Sequence, residues 1–281
     1  MNKNEIANLK MQGFILQNDG KHFALRIKTD AGCMDSEKID KLSEISKKYG
    51  RNYISFTVRL CVEIPWINYE DIPKIKEELK NSSLISGGTG NTVRPLVACK
   101  GTVCTHGLID SQKICNELDS LFFGKKLPHK FKIGISGCPN NCAKAQLNDV
   151  GIIGQRIPKI NEENCNGCTL CLKSCSVDAI TIVDKKAVID YEKCVNCGKC
   201  GESCKRKCIS LKEGVLISVG GKFGKKYKIG ENIGIYDASN LEKIVCEIMD
   251  YFKENADSRE RFGDTIDRTG ISSLKEKLKD Y

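Results

Sequence analysis

The sequence predicts an α+β protein in which a small cysteine-rich module interrupts a larger domain. A helical pattern at about 109–122 separates strand-like runs, and this order is typical of an α/β layer. The strand-like runs lie at 93–98, 130–135 and 148–153. The cysteine-rich segment 159–212 has little apolar content of its own, yet strand and helix patterns resume after it. We therefore expect an insertion rather than a terminal extension.

The residues before the predicted helix at 109–122 also show the alternation typical of strands and the apolar spacing typical of helices. Residues 23–28 alternate apolar and basic side chains, as a half-buried strand does. Ser36 is a candidate cap for a helix that runs to about Tyr49. Residues 52–60 predict another strand, and residues 70–80 predict a charged surface helix.

The region after the insertion predicts a strand at 215–219 and a helix at about 240–254, whose apolar residues recur in helical register. The charged tail after Glu254 predicts one or two surface helices with partial disorder. A glycine-rich loop, Ser82–Asn91, indicates a domain boundary. The predicted units are 1–90, then 91–158 together with 213–281, and the insertion 159–212.

The composition narrows the class of function. The chain has 45 basic and 36 acidic residues, a net charge of +9, but only 6% aromatic residues and no recognisable nucleic-acid module. The charge instead favours an anionic cofactor or substrate. No apolar run approaches the roughly 18 residues of a membrane span, and the N-terminus lacks the apolar core of an export signal. We expect a cytoplasmic protein whose 17 cysteines include metal-binding thiolates.

Eight cysteines form two copies of the pattern C-x2-C-x2-C-x3-C. The copies are Cys165, Cys168, Cys171 and Cys175, followed by Cys194, Cys197, Cys200 and Cys204. In bacterial ferredoxins this run holds two [4Fe–4S] clusters, and the fourth cysteine of each run ligates the other cluster. Zinc ribbons are the alternative, but a third cysteine at the same short spacing suits zinc poorly.

The crossed ligation assigns four cysteines to each cluster. The first cluster takes Cys165, Cys168, Cys171 and Cys204, and the second takes Cys194, Cys197, Cys200 and Cys175. Ser176 and Lys205 stand where a proline usually follows the fourth cysteine. Cys208 lies close enough in the sequence to be a spare or a substitute for Cys204.

A second cysteine set precedes the repeat. Its members are Cys99, Cys104, Cys138 and Cys142, with the spacings C-x4-C and C-x3-C. Spacing alone indicates a site of four thiolates and leaves both zinc and an iron–sulfur cluster open.

The segments around this second set resemble the siroheme–[4Fe–4S] signature of the sulfite and nitrite reductase family. The resemblance rests on Ala98–Cys104 and on Gly137–Cys142, which reads Gly-Cys-Pro-Asn-Asn-Cys. Many family members have C-x5-C where this chain has C-x4-C. The resemblance implies that the set holds a [4Fe–4S] cluster and that Cys142 bridges this cluster to the siroheme iron.

The resemblance extends over nearly the whole chain. The further matching segments are Phe23–Thr29, Tyr49–Arg51, Phe56–Arg59, Glu63–Ile67, Asn91–Pro95, Leu127–Lys132 and Gly220–Lys222. It implies a ferredoxin-like N-terminal domain at 1–90 and a siroheme-binding α/β domain at 91–158 and 213–281. The insertion at 159–212 corresponds to a two-cluster ferredoxin module of the small anaerobic members. The implied cofactors are siroheme and three [4Fe–4S] clusters.

Basic residues in the matching segments take roles from the same resemblance. Those implied to face substrate are Arg94, Lys130, Lys132 and either Arg26 or Lys28. Those implied to contact siroheme carboxylates are Arg59, Lys222, Lys225 and Lys226, while Cys142 binds on the iron side. A solvated surface position is an equal alternative for the last two lysines.

The resemblance implies a subunit that reduces sulfite to sulfide with six electrons. Nitrite reduction with the same cofactors is one alternative, and an electron-transfer protein without a substrate is another. The chain has no G-x-G-x-x-G fingerprint after a strand, so a separate flavin or ferredoxin subunit is expected to supply electrons. The chain corresponds to one half of the larger relatives, which implies association with a second copy or a homologue.

Overall fold

The computed structural model describes residues 1–281, and its N-terminal part is an antiparallel sheet with packed helices. The elements of this part are α1 (Lys3–Met11), β1 (Phe14–Leu16), β2 (Phe23–Ile27), α2 (Ser36–Tyr49), β3 (Ser55–Phe56), β4 (Val62–Ile67) and α3 (Ile72–Lys80). The strand order is β1-β2-β4-β3. Alternate residues of β2 face a core shared with α2 and α3, in which Leu25, Ile45 and Ile75 are fully buried.

Two local predictions in this part are wrong. Asp35 and not Ser36 caps α2, because the Asp35 carboxylate accepts a 2.7 Å hydrogen bond from the backbone N–H of Lys38. The strand predicted at 52–60 is confined to β3, because the chain turns at Leu60, where φ is 59°. This turn carries Arg59 toward the second sheet.

A mixed five-stranded sheet follows. The remaining elements are β5 (Val97–Ala98), α4 (Ser111–Phe122), β6 (Ile133–Ser136), β7 (Val150–Ile160), α5 (Leu170–Ser174), β8 (Ile180–Val183), β9 (Lys186–Ile189), α6 (Lys199–Ser203), β10 (Ile209–Val219), β11 (Glu231–Tyr236), α7 (Leu241–Asn255), α8 (Phe262–Thr269) and α9 (Ser272–Lys277). The sheet has the order β11-β10-β7-β6-β5. Strands β5, β6 and β7 are parallel, whereas β10 pairs antiparallel with both β7 and β11. With α4 and α7 this sheet forms the largest core of the chain.

The insertion begins and ends at one point of this sheet. Strands β7 and β10 pair over their full lengths, from Val150 opposite Val219 to Ile160 opposite Ile209. The segment 161–208 therefore projects from the end of a two-stranded ribbon. It contains α5, the β8–β9 hairpin and α6, which surround a small core made largely of cysteines.

The tail forms two helices, α8 and α9, but both pack against the core, whereas surface helices were predicted. The Phe262 ring in α8 lies 5.4 Å from Phe131 and 5.3 Å from Phe252, measured between centroids. Leu274 in α9 is fully buried in the same core. The tail thus closes the mixed-sheet core. Across the whole chain, the helices are too short or too polar to span a lipid bilayer.

Candidate active site

The sheet-edge cysteines, Cys99, Cys104, Cys138 and Cys142, lie at one edge of the mixed sheet. Strands β5 and β6 are parallel neighbours, so the residues that follow them meet at the same edge. Cys99 follows β5 directly, while Cys138 and Cys142 lie in the loop after β6. The backbone N–H of Gly137 donates a 3.1 Å hydrogen bond to Cys99 Sγ. The parallel strand order therefore brings the two cysteine pairs together.

Two glycines allow the loops that carry these cysteines to approach each other. A Cβ atom on Gly101 would lie 2.8 Å from the Gly137 Cα, and a Cβ on Gly137 would lie 2.7 Å from the Gly101 Cα. Burial raises the pKa of the Cys138 thiol, and the other three thiols of the set raise it further. Four thiols at this proximity form a soft donor set that fits an iron–sulfur cluster.

No three His, Cys, Asp or Glu side chains surround a position for a single metal ion. A cubane differs from a single ion, because its thiolates are distributed around four irons.

A cationic cavity of about 250 Å³ is lined by residues from both sheet-containing parts of the chain. Five of its ten lining residues are basic and none is acidic. The basic residues are Arg26, Arg59, Arg94, Lys130 and Lys132. Arg26 pairs with Glu63, whereas the other four form no ion pair. Partly buried positive charges without counter-charges are costly, and a bound anion relieves that cost. The cavity is therefore suited to small oxyanions and to carboxylates.

Both lysines of the cavity have lowered pKa values. For Lys130 the main cause is burial, and repulsion from Arg261 and Arg94 adds to it. Burial also leads for Lys132, where Arg59 and Arg261 contribute and the pKa falls to about 8. A lysine such as Lys132, whose pKa is about 8, can attract an anion and also release a proton to it.

The arginines of the cavity differ in how many of their donors are occupied. Arg26 forms a 2.6 Å ion pair with Glu63. Arg59 donates a 2.9 Å hydrogen bond to Asn148 Oδ1, and Asn148 in turn donates to the backbone of the loop that follows the last sheet-edge cysteine. Burial lowers the pKa of Arg59 and of Arg94 to about 10. The cavity and the sheet-edge cysteines are thus joined through one asparagine.

Three buried guanidinium nitrogens lack a protein partner. They are the Nε atoms of Arg59, Arg94 and Arg261. A buried donor without an acceptor costs about 1–3 kcal/mol. A cofactor rich in carboxylates would provide acceptors, so this arginine group fits siroheme.

Arg261 and its partner Asp149 were missed by sequence reasoning. The Arg261 Nη2 atom lies 3.2 Å from both carboxylate oxygens of Asp149, which is fully buried. Asp149 also accepts a 2.9 Å hydrogen bond from the backbone N–H of Lys132. Burial raises the pKa of Asp149, and Arg261 opposes that rise. No local pattern connects the pair, because its members lie 112 positions apart.

The structure separates Arg26 from Lys28, which the sequence left as alternatives. Arg26 lines the cavity, whereas Lys28 does not. Strand β2 ends at Ile27, and the Lys28 amine forms an ion pair with Asp119 of α4. The same amine lies 5.0 Å from the centre of the Phe123 ring. The Lys28 amine therefore contacts Asp119 and Phe123 and lies outside the cavity.

The three lysines of the glycine-rich segment also lie outside the cavity. Lys222 forms an ion pair with Asp264 at the start of α8. Lys225 and Lys226 are exposed in the loop between β10 and β11. In this structure none of the three contributes to the group of unpartnered donors.

Two further cavities lie within the insertion. One is lined by Cys165, Cys168, Cys171, Cys204 and Cys208. The other is lined by Cys175, Cys194, Cys197 and Cys200. Each cavity combines three cysteines of one run with the fourth cysteine of the other, which is the crossed arrangement of paired clusters.

A cavity of about 290 Å³ lies between the sheet-edge cysteines and the insertion. Cys138 lines it from the loop after β6, and Cys197 lines it from the insertion. The backbone N–H of Arg156 in β7 donates a 2.7 Å hydrogen bond to the Asn196 carbonyl, which holds the Cys197 loop against the sheet. The two cysteine systems therefore face a common space.

The thiol sets are suited to iron–sulfur clusters, and the cationic cavity is suited to an anion. Residues 89–281 match the nitrite and sulphite reductase 4Fe-4S domain, and residues 15–82 match the nitrite/sulfite reductase ferredoxin-like half domain. The chain belongs to the nitrite and sulphite reductase family. The resemblance predicted from the sequence is thereby confirmed, as is a mixed α/β fold with a ferredoxin-like half domain.

Several curated relatives are similar to the chain. It is 34% identical to the coenzyme F420-dependent sulfite reductase of Methanocaldococcus jannaschii over 93% of this chain and 43% of that protein. It is 27% identical to one subunit of the anaerobic sulfite reductase of Salmonella typhimurium over 98% of this chain and 86% of that protein. The chain thus spans less than half of the first of these relatives.

The solved structures support the fold. Dissimilatory sulfite reductase I matches with a TM-score of 0.72 and 19% identity over 91% of this chain and 68% of that one. The NirA protein of Mycobacterium tuberculosis matches with a TM-score of 0.70 and 17% identity over 100% of this chain and 47% of that one.

Proposed function

We propose that this chain is a siroheme-dependent sulfite reductase subunit that reduces sulfite to sulfide. The cationic cavity carries the proposal, because it presents five basic side chains and no acidic one. A protein that only transfers electrons between clusters has no need of an anion-binding cavity. The names of the relatives, which include two sulfite reductases, support the same activity.

The residues that would hold siroheme are the arginines with unpartnered Nε atoms and one of the sheet-edge cysteines. Arg59, Arg94 and Arg261 would donate to its carboxylates, and the exposed Cys142 would hold it on the iron side. When bound, siroheme supplies an iron that takes up the substrate and passes electrons to it. Lys222, by contrast, is already paired with Asp264.

The side chains of the cavity have two further roles, which are to bind the oxyanion and to donate protons to it. The overall reaction, HSO3− + 6 e− + 6 H+ → HS− + 3 H2O, needs protons at the oxygen atoms that leave as water. Arg26 and Arg94 hold the oxyanion as fixed cations. Lys130 and Lys132 hydrogen-bond to its oxygens and donate protons to them, and solvent then reprotonates the amines. The pKa of about 8 suits Lys132 to this role, because its charged form prevails at neutral pH yet gives up a proton readily.

We propose that electrons reach this site through iron–sulfur clusters. The crossed lining of the two insertion cavities supports two [4Fe–4S] clusters there, and the sheet-edge cysteines would hold a third. Cys138 and Cys197 line one cavity, which supports transfer between the insertion and the sheet edge. A flavin or ferredoxin subunit would be the donor, within an assembly that contains a second copy or a homologue. A cytoplasmic location agrees with seventeen free cysteines.

The absorption spectrum of the anaerobically purified, reduced protein, recorded before and after sulfite is added, tests the proposal. A siroheme band that shifts with sulfite is expected, and Lys130→Met should weaken the shift. Lys47→Met, at an exposed lysine of α2 far from the cavity residues in the sequence, is the matched control. Iron–sulfur absorption without a siroheme band, in protein with full iron content, would leave an electron carrier. A shift with nitrite but not with sulfite would assign nitrite as the substrate.

A further inference from the structure

We propose that Cys204 and Cys208 are interchangeable fourth ligands of the first cluster in the insertion. The inference rests on the proposed function, which places a [4Fe–4S] cluster in the cavity lined by Cys165, Cys168 and Cys171. A cubane needs four thiolates, and this cavity is lined by five cysteines. The second cavity is lined by four.

The position of Cys208 supports a role as ligand. Its Sγ lies 3.2 Å from Cys204 Sγ, and it lines the same cavity as Cys165. Cys204 and Cys208 are both buried, with 8% and 5% of their surface exposed. Either sulfur can therefore occupy the same corner of the cavity with a small side-chain rotation.

The internal repeat provides a comparison within the same chain. Cys175, the fourth cysteine of the first run, is followed four positions later by Ala179, whose backbone N–H donates a 3.3 Å hydrogen bond to Cys175 Sγ. Cys204 is followed four positions later by Cys208. The two positions are equivalent and buried, but only the second run adds a thiol there. The fifth cysteine is thus specific to the first cluster.

The exchange is a ligand substitution without a redox change. The bond from Cys204 Sγ to iron breaks, and that thiolate takes up a proton from solvent. The Cys208 thiol loses a proton to solvent and forms the new sulfur–iron bond. The four irons, the four inorganic sulfides and the oxidation state of the cluster are unchanged.

Alanine variants of the two cysteines test the inference. We expect Cys204→Ala and Cys208→Ala each to retain the wild-type iron and acid-labile sulfide content and the low-temperature EPR spectrum of the reduced protein. The double variant should lose one iron and show a [3Fe–4S] signal after oxidation. Cys175→Ala is the matched control and should lose iron as a single variant, because Ala179 offers no replacement. A [3Fe–4S] signal in Cys204→Ala alone would overturn the inference.

A gain-of-ligand variant adds an independent result. Cys175→Ala with Ala179→Cys should regain the cluster that Cys175→Ala loses, if the equivalence of the two positions is correct. The clusters found in the wild-type protein distinguish a failure of the proposed clusters from a failure of the interchange alone. Wild-type protein with no ferredoxin-type EPR signal would refute the proposed clusters and this inference together. A wild-type complement of three clusters with loss in Cys204→Ala would refute only the interchange.

Discussion

Lys132→Met removes a cavity charge whose pKa is lowered to about 8, mainly by burial. With a pKa of about 8, Lys132 is about 90% protonated at pH 7 and about 10% protonated at pH 9. A lysine with a lowered pKa is charged below that pKa and neutral above it, so its hold on an anion weakens as the pH rises. If the charged form is required, kcat/KM for sulfite contains a factor that falls about tenfold between these two pH values.

In Lys132→Met, kcat/KM for sulfite should lack this pH-dependent factor. Loss of a hydrogen bond to a charged group costs about 1.5–3 kcal/mol, so we expect kcat/KM at pH 7 to fall roughly 10- to 100-fold. The assay is steady-state sulfite reduction with a reduced viologen dye, normalised to siroheme content. Sulfite itself titrates near neutral pH, but it does so equally with both proteins, so the ratio of their profiles isolates the lysine. A ratio that stays constant from pH 7 to pH 9 would refute the reasoning, and Lys47→Met, at an exposed lysine of α2, should match the wild type.

Three further predictions concern the support of the site. Asp149→Asn leaves Arg261 without its buried counter-charge, and urea denaturation should show a loss of about 3 kcal/mol in unfolding free energy; an unchanged midpoint would contradict this. Gly137→Ala places a methyl group against Gly101, so the protein should lose about four irons, those of the sheet-edge cluster, while the EPR signals of the insertion persist. Phe262→Ala opens a void in the closed core and should cost about 3–5 kcal/mol, which a retained melting temperature would disprove.

The cysteine sets could be predicted because their information is local. Three cysteines at x2 spacing occupy one loop, so the spacing alone indicates the cluster type. The prediction that the sheet-edge cysteines lie close together also depends on the parallel pairing of β5 and β6. A β-α-β pattern predicts that pairing. Lys130 and Lys132 both line the cavity, but they do so from the segment before β6, because this strand begins at Ile133 and not at 130 as predicted.

The other features of the fold and of the site depend on contacts between residues that lie far apart in the sequence. No local sequence pattern predicts such contacts. Arg26 and Lys28 share a strand period, yet Lys28 turns to α4 because the strand ends one residue earlier and a buried carboxylate lies there. The charged tail suggested exposure, but its few apolar residues, such as Phe262 and Ile266, are those that close the core. Arg261 enters the site only because α8 packs in this way.

The paired ends of β7 and β10 have a consequence for how such a protein can change its redox partner. Ile160 and Ile209 face each other across one rung of the ladder, so a tight turn in place of 161–208 would leave every other rung of the sheet in register. Gain, loss or replacement of segment 161–208, the proposed electron-input unit, is therefore compatible with an unaltered sheet. Under the proposed function, selection can act on the choice of electron donor separately from the chemistry of the anion.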